Sequence, residues 1–149
     1  SMTLEAFLAS AHLVAILALV TFMSSQAALC RIEWMSAAVV ERLVRLDVIY
    51  QITVVTLLAS GLARIFWGIK GSAWYWSQPL LHAKLTLVLV MLLLSIAPTL
   101  AFRRWRRALR ANGRLPGATE VRKARRLIMV QSHILPVVAV LAVFWARGW

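Results

Sequence analysis

The residues in this sequence that could do chemistry are a few ionisable side chains set among apolar ones. His12 lies in the first apolar stretch, Arg64 near the end of the second, and His82 and Lys84 at the head of the third. A charged side chain at the centre of a bilayer costs at least about 2.5–3.5 kcal/mol on insertion scales, so each one needs a partner, a ligand or an escape to the interface. These four residues are therefore candidates for a binding or catalytic site.

The chemistry that best accounts for all four is haem binding. Two neutral imidazoles facing one another suit the axial positions of a haem iron, and Arg and Lys side chains suit its two propionates. At 1.5 Å rise per residue, His12 lies roughly 12 Å below the start of helix 1, and His82 roughly 5–8 Å below the start of helix 3. The sequence thus predicts a haem site, with His12 and His82 on the iron and Arg64 and Lys84 beside the propionates.

Helix geometry leaves alternatives open for this site. His82 and Lys84 cannot both face the centre of a bundle, because residues two apart on a helix point about 200° from each other. If His82 binds iron, Lys84 snorkels to a propionate or headgroup; if Lys84 faces the site, His82 faces lipid or a second protomer. His133 is a further candidate ligand, in the inner half of the membrane. A zinc or copper site is the weaker alternative, since zinc normally takes three or four protein ligands.

The elements that must position these residues are transmembrane helices. Of the 149 residues, 62% are hydrophobic and 15% are charged, whereas soluble domains have about 45–50% and about 25%. Apolar stretches at residues 4–30, 46–69, 79–102 and 127–146 are each near or above the ~20 residues that cross a bilayer. We predict an all-α integral membrane four-helix bundle that forms a single domain over residues 1–149, with the first stretch retained as a helix.

Positive charge is concentrated at one end of the predicted bundle. The formal net charge is +12, and most of the Lys and Arg residues lie in a basic loop at residues 103–126, with Arg31, Arg42 and Arg45 in the first connection. By the positive-inside rule this end faces the cytoplasm and both chain termini face outward. The charge therefore serves membrane topology and predicts no nucleic-acid partner; the basic loop could bind anionic lipid at roughly 1 kcal/mol per Lys or Arg.

Other segments have structural interpretations. Residues 31–45 have apolar side chains at helical spacing among charges, which favours an amphipathic surface helix or an extension of helix 2. The segment at residues 59–63 offers small side chains that would allow close helix contact, and residues 74–76, Trp-Tyr-Trp, predict an interfacial aromatic belt. Asp47 and Tyr50 are predicted to anchor helix 2 at the inner surface, with arginines as partners.

The order of these features resembles that of HemJ, the haem-b-containing protoporphyrinogen oxidase family. The resemblance is carried by "SAHLVAILALVTFMSSQAALCRIE", "RLDVIYQITVVTLLASGLARIFWG" and, most of all, "LLHAKLTLVLVMLLL" in the first three helices. The segments "LSIAPTLAFRRWRRALR" and "VQSHILP" resemble instead an uncharacterised family of predicted four-helix membrane proteins. The HemJ resemblance implies that His12 and Lys84, the lysine of the His-x-Lys motif, act in haem binding or oxidation.

The resemblance also implies an activity and partners. A HemJ-like protein of the bacterial inner membrane would oxidise protoporphyrinogen IX entering from the bilayer and pass electrons through haem to a quinone or another membrane carrier. We therefore predict a multi-pass b-type haem protein, either an oxidoreductase or an electron relay. The alternatives are a non-catalytic bundle with a transport, assembly or lipid-interaction role, and a metal-handling membrane protein. A homodimer would supply further walls, because four helices leave few around a haem.

Overall fold

The structure, a computed structural model, describes residues 2–67, 77 and 79–146. The side chains of some helical residues are excluded from this description, namely those of residues 64, 65, 67, 80, 142, 145 and 146. The predicted aromatic belt at residues 74–76 and the side chain of Arg64 therefore lie outside the described residues.

Four long α-helices account for almost all of the described chain. They are α1 (Met2–Leu29), α2 (Ala37–Trp67), α3 (Pro79–Asn112) and α4 (Ala118–Ala146), and a short 3-10 helix, Ile32–Trp34, lies between α1 and α2. Each contains a segment long and apolar enough to cross a membrane. The prediction of an all-α membrane protein with four spanning helices is confirmed.

The helices form a ring in chain order. α1 packs most extensively on α2 and α3 on α4, while contacts of α2 with α3 and of α4 with α1 complete the ring. The short α1–α2 and α3–α4 connections make these pairs antiparallel. One end of the bundle, which we call the basic end, holds the end of α1, the start of α2, the end of α3 and the start of α4. At the opposite end, which the positive-inside rule predicts to face outward, α1 begins and α4 ends.

The helices extend further at the basic end than the apolar stretches predicted. α2 already begins at Ala37, where the Ser36 hydroxyl accepts a hydrogen bond of 3.2 Å from the Val39 N–H as an N-cap. Part of the 31–45 segment is thus an extension of helix 2, which was one of its two predicted alternatives. On the other side of the bundle, α3 continues to Asn112 and α4 begins at Ala118, so the connection between them is much shorter than the predicted basic loop.

Glycine ends α3 by a left-handed backbone conformation. Gly113 has φ of +68° and its N–H donates to the Leu109 carbonyl at 2.9 Å. This is a conformation in which glycine has no Cβ penalty, and it is common just after a helix. The end of α3 is therefore set by the Gly113 position, and the chain turns back at once into α4.

The half of the bundle at the basic end has a packed aromatic and aliphatic core. Phe102 and Trp105 of α3 are buried and meet edge to face, with ring centroids 5.4 Å apart. Buried side chains of the neighbouring helices surround them, among them Val40, Leu43, Val121 and Ile128. This half holds the helices in register, and the other half contains the cavity described next.

Candidate functional site

A cavity of about 340 Å³ lies between the four helices, in the half of the bundle away from the basic end. All four helices contribute to its lining, which is mostly aliphatic; the polar side chains among the described lining residues are His12, Ser24, Lys84 and Ser132. Along α1 it extends from His12 to Ser24, roughly 18 Å at 1.5 Å per residue. Its volume is within the usual 300–1,000 Å³ range of small-molecule sites, and it combines apolar walls with few polar groups as such sites do.

The cavity brings together two of the predicted site residues. His12 on α1 and Lys84 on α3 are both half-buried and both line it. In the ring of helices α1 and α3 lie across from each other, so the imidazole and the ammonium approach from different sides. An apolar space with one imidazole and one cation is the result.

The other two histidines are placed elsewhere. His82 is exposed on α3 and does not line the cavity, so the bundle does not bring it together with His12 as the predicted pair of iron ligands. The physical reason is the turn of about 200° between His82 and Lys84: Lys84 faces the site and His82 faces outward. His133 is exposed too, and its Nδ1 donates to the Met129 carbonyl of its own helix at 2.6 Å.

His12 is oriented by a neighbouring helix. Its Nδ1 lies 2.8 Å from the Ser60 Oγ, and the Ser60 hydroxyl in turn donates to the Leu57 carbonyl at 3.1 Å. Both contacts are satisfied together when Ser60 accepts from an Nδ1–H of His12, the tautomer that this geometry favours. In that tautomer the lone pair of the neutral ring is on Nε2, the arrangement in which histidine commonly binds a metal ion.

Gly61 allows the imidazole to lie directly against α2. A Cβ built on Gly61 would be 3.4 Å from Cε1 of His12, which is at the limit of ordinary contact. The small residues predicted at 59–63 for close helix contact thus border the candidate site, and Ser60 among them orients His12. Sequence reasoning had missed this role of Ser60, for which the only signal was a hydroxyl within a small-residue segment.

A buried polar network lies on the basic side of the cavity. The carboxylate of Asp47 on α2 accepts from Nε2 of Gln26 on α1 at 3.5 Å. Gln51 and Thr99 are also close to that carboxylate, and Nε2 of Gln51 donates to the Thr99 hydroxyl at 3.0 Å. The Tyr50 hydroxyl donates to the Gln131 side-chain oxygen on α4. Polar side chains of all four helices therefore meet in the interior.

This network gives Asp47 and Tyr50 other hydrogen-bond partners than the arginines that were predicted to hold them at the inner surface. Asp47 is 3% exposed and Tyr50 2% exposed. Since α2 starts at Ala37 rather than near residue 46, Asp47 lies roughly 15 Å along the helix. Arg103 still acts electrostatically on Asp47, but the carboxylate's hydrogen-bond partners are amide and hydroxyl groups. Sequence reasoning had not singled out Gln26, Gln51 or Gln131, whose only signal was an amide within an apolar stretch.

The chain offers little for a metal site without porphyrin. Within the part of the chain that the structure describes, no group of three or more His, Cys, Asp and Glu side chains is close enough to hold a metal ion. Cys30, just after α1, is fully buried. Burial raises the pKa of its thiol to about 11, although the charge of Arg125 acts in the opposite direction. A buried, protonated thiol of this kind packs and does not ligate.

Comparison with known proteins agrees with one part of the resemblance found in the sequence. A family model described as "Predicted membrane protein (DUF2214)" matches residues 4–149. No curated protein and no solved structure matches the chain. The match supports the resemblance to an uncharacterised membrane family and does not support a relationship with HemJ. The chain belongs to the DUF2214 family of predicted membrane proteins.

Proposed function

We propose that this membrane protein binds haem b in the cavity between its four helices, where His12 would be a ligand of the iron and Lys84 the partner of a propionate. One observation carries the proposal: an imidazole and an ammonium line the same apolar cavity from facing helices. An apolar interior suits the macrocycle, and the two polar groups match its metal and its carboxylates.

The state of His12 fits an iron ligand. Ser60 holds the proton on Nδ1 and so keeps the lone pair on Nε2. Ligating histidines almost always donate their other ring N–H to such a partner, which fixes both the tautomer and the ring orientation. In this tautomer the imidazole would offer Nε2 to the iron.

Lys84 supplies the countercharge in an apolar surrounding. A propionate entering the cavity loses hydration, and a cation at the wall compensates for that loss. Lys84 lies near the outer end of α3, so a haem held there has its propionates toward that interface. Arg64, whose side chain lies outside the described residues, remains the predicted partner of the second propionate.

The proposed ligation uses one histidine of this chain. His82 and His133 are both exposed, and the thioether of Met23, another lining residue, lies roughly 16 Å from His12 along α1. A small ligand or a residue of a second protomer would supply any sixth ligand of the iron. Haem would supply one-electron redox chemistry when bound; oxidation of protoporphyrinogen IX with a quinone as acceptor is a finer proposal that rests on the HemJ resemblance alone.

The test is an absorption spectrum of detergent-purified protein, oxidised and dithionite-reduced, before and after addition of hemin. We compare wild type with His12→Ala and use His82→Ala and His133→Ala as matched controls, since each removes an imidazole from an exposed position. We expect a Soret band in wild type and in both controls, and its loss in His12→Ala. Carbon monoxide should shift the reduced spectrum if the sixth position is open.

Two results would count against the proposal. Loss of the Soret band in His82→Ala would restore two-histidine ligation, with His82 reaching a haem from another protomer. A wild-type protein without a Soret band, even after hemin addition, would rule out haem as the ligand. Protoporphyrinogen oxidation is assayed only on protein that carries haem, so that binding and catalysis are judged separately.

The shape of the cavity supports a second candidate, a long-chain carboxylate, which corresponds to the lipid-interaction alternative. The lining is mostly aliphatic over roughly 18 Å along α1, with a single lysine among the described lining residues. An acyl chain would occupy the apolar length and its carboxylate would pair with Lys84. Native mass spectrometry of the purified protein would show a bound fatty acid in wild type that is depleted in Lys84→Met. Retention of the ligand in that variant would exclude this candidate.

A further inference from the structure

We infer that the basic end carries a separate binding site for a phosphate group, in a groove between the end of α1 and the start of α4. The groove has a volume of about 530 Å³. Its charged lining residues are Arg31 and Glu33 from the segment after α1, and Arg122 and Arg125 from the first two turns of α4. We call it the arginine groove. It lies at the opposite end of the bundle from the His12 cavity, and neither site depends on the other.

The charge of the arginine groove favours an anion. Three guanidinium groups and one carboxylate line it, so positive charge is in excess. Guanidinium groups offer a planar set of donors that matches phosphate oxygens, often with two parallel hydrogen bonds. Phosphate offers several acceptor oxygens to the guanidinium groups that line the groove, whereas a halide offers a single atom.

Arg125 has a side-chain nitrogen that is not hydrogen-bonded. Its Nε is buried and has no hydrogen-bond partner among the described residues. Other arginines at this end are already matched to carboxylates: Arg110 bonds Glu41 through two nitrogens at 3.0 Å, and Arg104 bonds Glu120 at 3.2 Å. The Nε itself lies too deep for an oxygen in the groove to reach it, but no carboxylate among the described residues holds the guanidinium of Arg125 as Glu41 holds that of Arg110.

The walls of the arginine groove are fixed by the fold. Cys30 is fully buried at the back, with its thiol 3.8 Å from the Val121 carbonyl, so it joins the end of α1 to α4. The 3-10 helix Ile32–Trp34 also packs on α4. The groove therefore exists before a ligand binds and needs no closure of a loop.

Two exposed apolar side chains favour a lipid as the source of the phosphate: Ile32 lines the groove, and Trp34 follows one residue after the lining residue Glu33. Ile32 is 42% and Trp34 64% exposed, and both lie between the membrane-spanning segments of α1 and α2. Trp at such positions sits at the level of the headgroups. The groove is thus at headgroup depth, where an anionic phospholipid presents its phosphate at high local concentration.

The experiment measures retention of phosphatidylglycerol by the full-length protein in detergent, by native mass spectrometry, with phosphatidylcholine as the zwitterionic comparison. The groove variant is Arg31→Gln/Arg122→Gln/Arg125→Gln. Its matched control removes the same charge from exposed residues outside the groove at the same end, Arg107→Gln/Lys123→Gln/Arg126→Gln. We expect affinity to fall by at least about tenfold for each groove arginine removed, from the roughly 1.5–3 kcal/mol of a hydrogen bond to a charged group, and by about twofold or less in the control.

Inorganic phosphate then separates the two sources of the anion. If millimolar phosphate displaces the lipid from wild type, and binds alone with the same dependence on the arginines, the groove is a site for a soluble phosphate. If phosphate fails to compete while the lipid is retained, it is a headgroup site. Equal loss of lipid in the groove variant and the control would overturn the inference, since attraction would then be diffuse. If the triple variant lacks a helical circular dichroism spectrum, Arg31→Gln and Arg122→Gln, both at exposed positions, are compared singly.

Discussion

Among single side chains, Ser60 has the clearest influence on the candidate haem site. In Ser60→Ala the Nδ1–H of His12 loses its acceptor, so the ring is no longer held in one tautomer or one orientation. Loss of such an orienting partner typically lowers metal affinity about 10–100-fold. We therefore expect weaker hemin binding by about that factor, measured by titration of the Soret band.

Ser25→Ala is the control for this prediction. Its hydroxyl donates to the Thr21 carbonyl of its own helix at 2.9 Å, and Ser25 does not line the cavity. Its removal should leave hemin affinity unchanged. If Ser60→Ala and Ser25→Ala bind hemin equally well, the imidazole of His12 is not positioned through Ser60, and its role as an iron ligand loses its support.

The choice between His82 and Lys84 illustrates what a sequence reveals of such a site. Helical period alone predicts that only one of them faces inward. Which one it is depends on the face that packs, and Leu81, Lys84, Val88 and Met91 share the cavity-lining face of α3. Apolar residues surround a membrane helix on every side, so this face has no contrast with the lipid-facing one in hydrophobicity. The inward residue therefore could not be predicted without the positions of the neighbouring helices.

Between helices, the buried hydrogen bond from Tyr50 on α2 to Gln131 on α4 should contribute measurably to the free energy of unfolding. Tyr50→Phe leaves the Gln131 oxygen buried without its donor, and Gln131→Leu does the same to the tyrosine hydroxyl. Hydrogen bonds between membrane helices average about 0.6 kcal/mol and reach about 1.7. We expect each variant to lose about 1 kcal/mol of unfolding free energy in mixed micelles of SDS, and the double variant to lose less than the sum.

The two single variants and the double variant form a double-mutant cycle, and a hydroxyl bonded within its own helix provides the comparison for it. Thr56 is exposed and donates to the Ile52 carbonyl at 2.9 Å. Thr56→Val, combined with Gln131→Leu, should give additive losses because the two residues share no partner. Additivity in the Tyr50–Gln131 cycle as well would mean that this bond contributes nothing to joining α2 and α4.

The extent of each helix was predictable only where it crosses lipid. The third apolar stretch began at residue 79 as α3 does, yet α3 continues to Asn112 and α4 starts at Ala118, well before residue 127. The added turns are rich in Arg, Ala and Leu, which are good helix formers, and bury side chains such as Trp105 and Val121. Hydropathy measures transfer into lipid, and it does not detect helices that continue beyond the bilayer by packing on each other.

For the bundle as a whole, sequence reasoning predicted the four-helix architecture and the polar residues near the outer end, but not the division into two halves. The half at the basic end is packed around Phe102 and Trp105, and the other half encloses the cavity with His12 and Lys84. Between them lies the network around Asp47, which the sequence had suggested only as a surface anchor. Which polar side chains pack inside the bundle depends on the helix faces in contact, and hydropathy along the chain does not show these faces.

The orientation of the bundle in the membrane remains a prediction from charge, and it connects the two proposed sites. If the basic end faces the cytoplasm, the arginine groove meets the leaflet whose surface carries anionic lipid, and the His12 cavity lies in the outer half. A cysteine introduced at one of two exposed positions tests this orientation. Thr3→Cys lies at the end of the bundle that is predicted to face outward, and Asn112→Cys lies at the basic end. In intact bacterial cells an impermeant maleimide should label Thr3→Cys, and should label Asn112→Cys only after permeabilisation.

Wild type is the built-in control for that labelling, because Cys30 is fully buried and its raised pKa keeps the thiol protonated; it should stay unlabelled in both conditions. The reverse pattern, with Asn112→Cys labelled in intact cells, would place the basic end outside. It would then remove the cytoplasmic leaflet as the lipid source for the arginine groove, while leaving the groove's affinity for phosphate as measured in detergent. Labelling in cells and lipid retention in detergent therefore decide separately where the groove lies and what it binds.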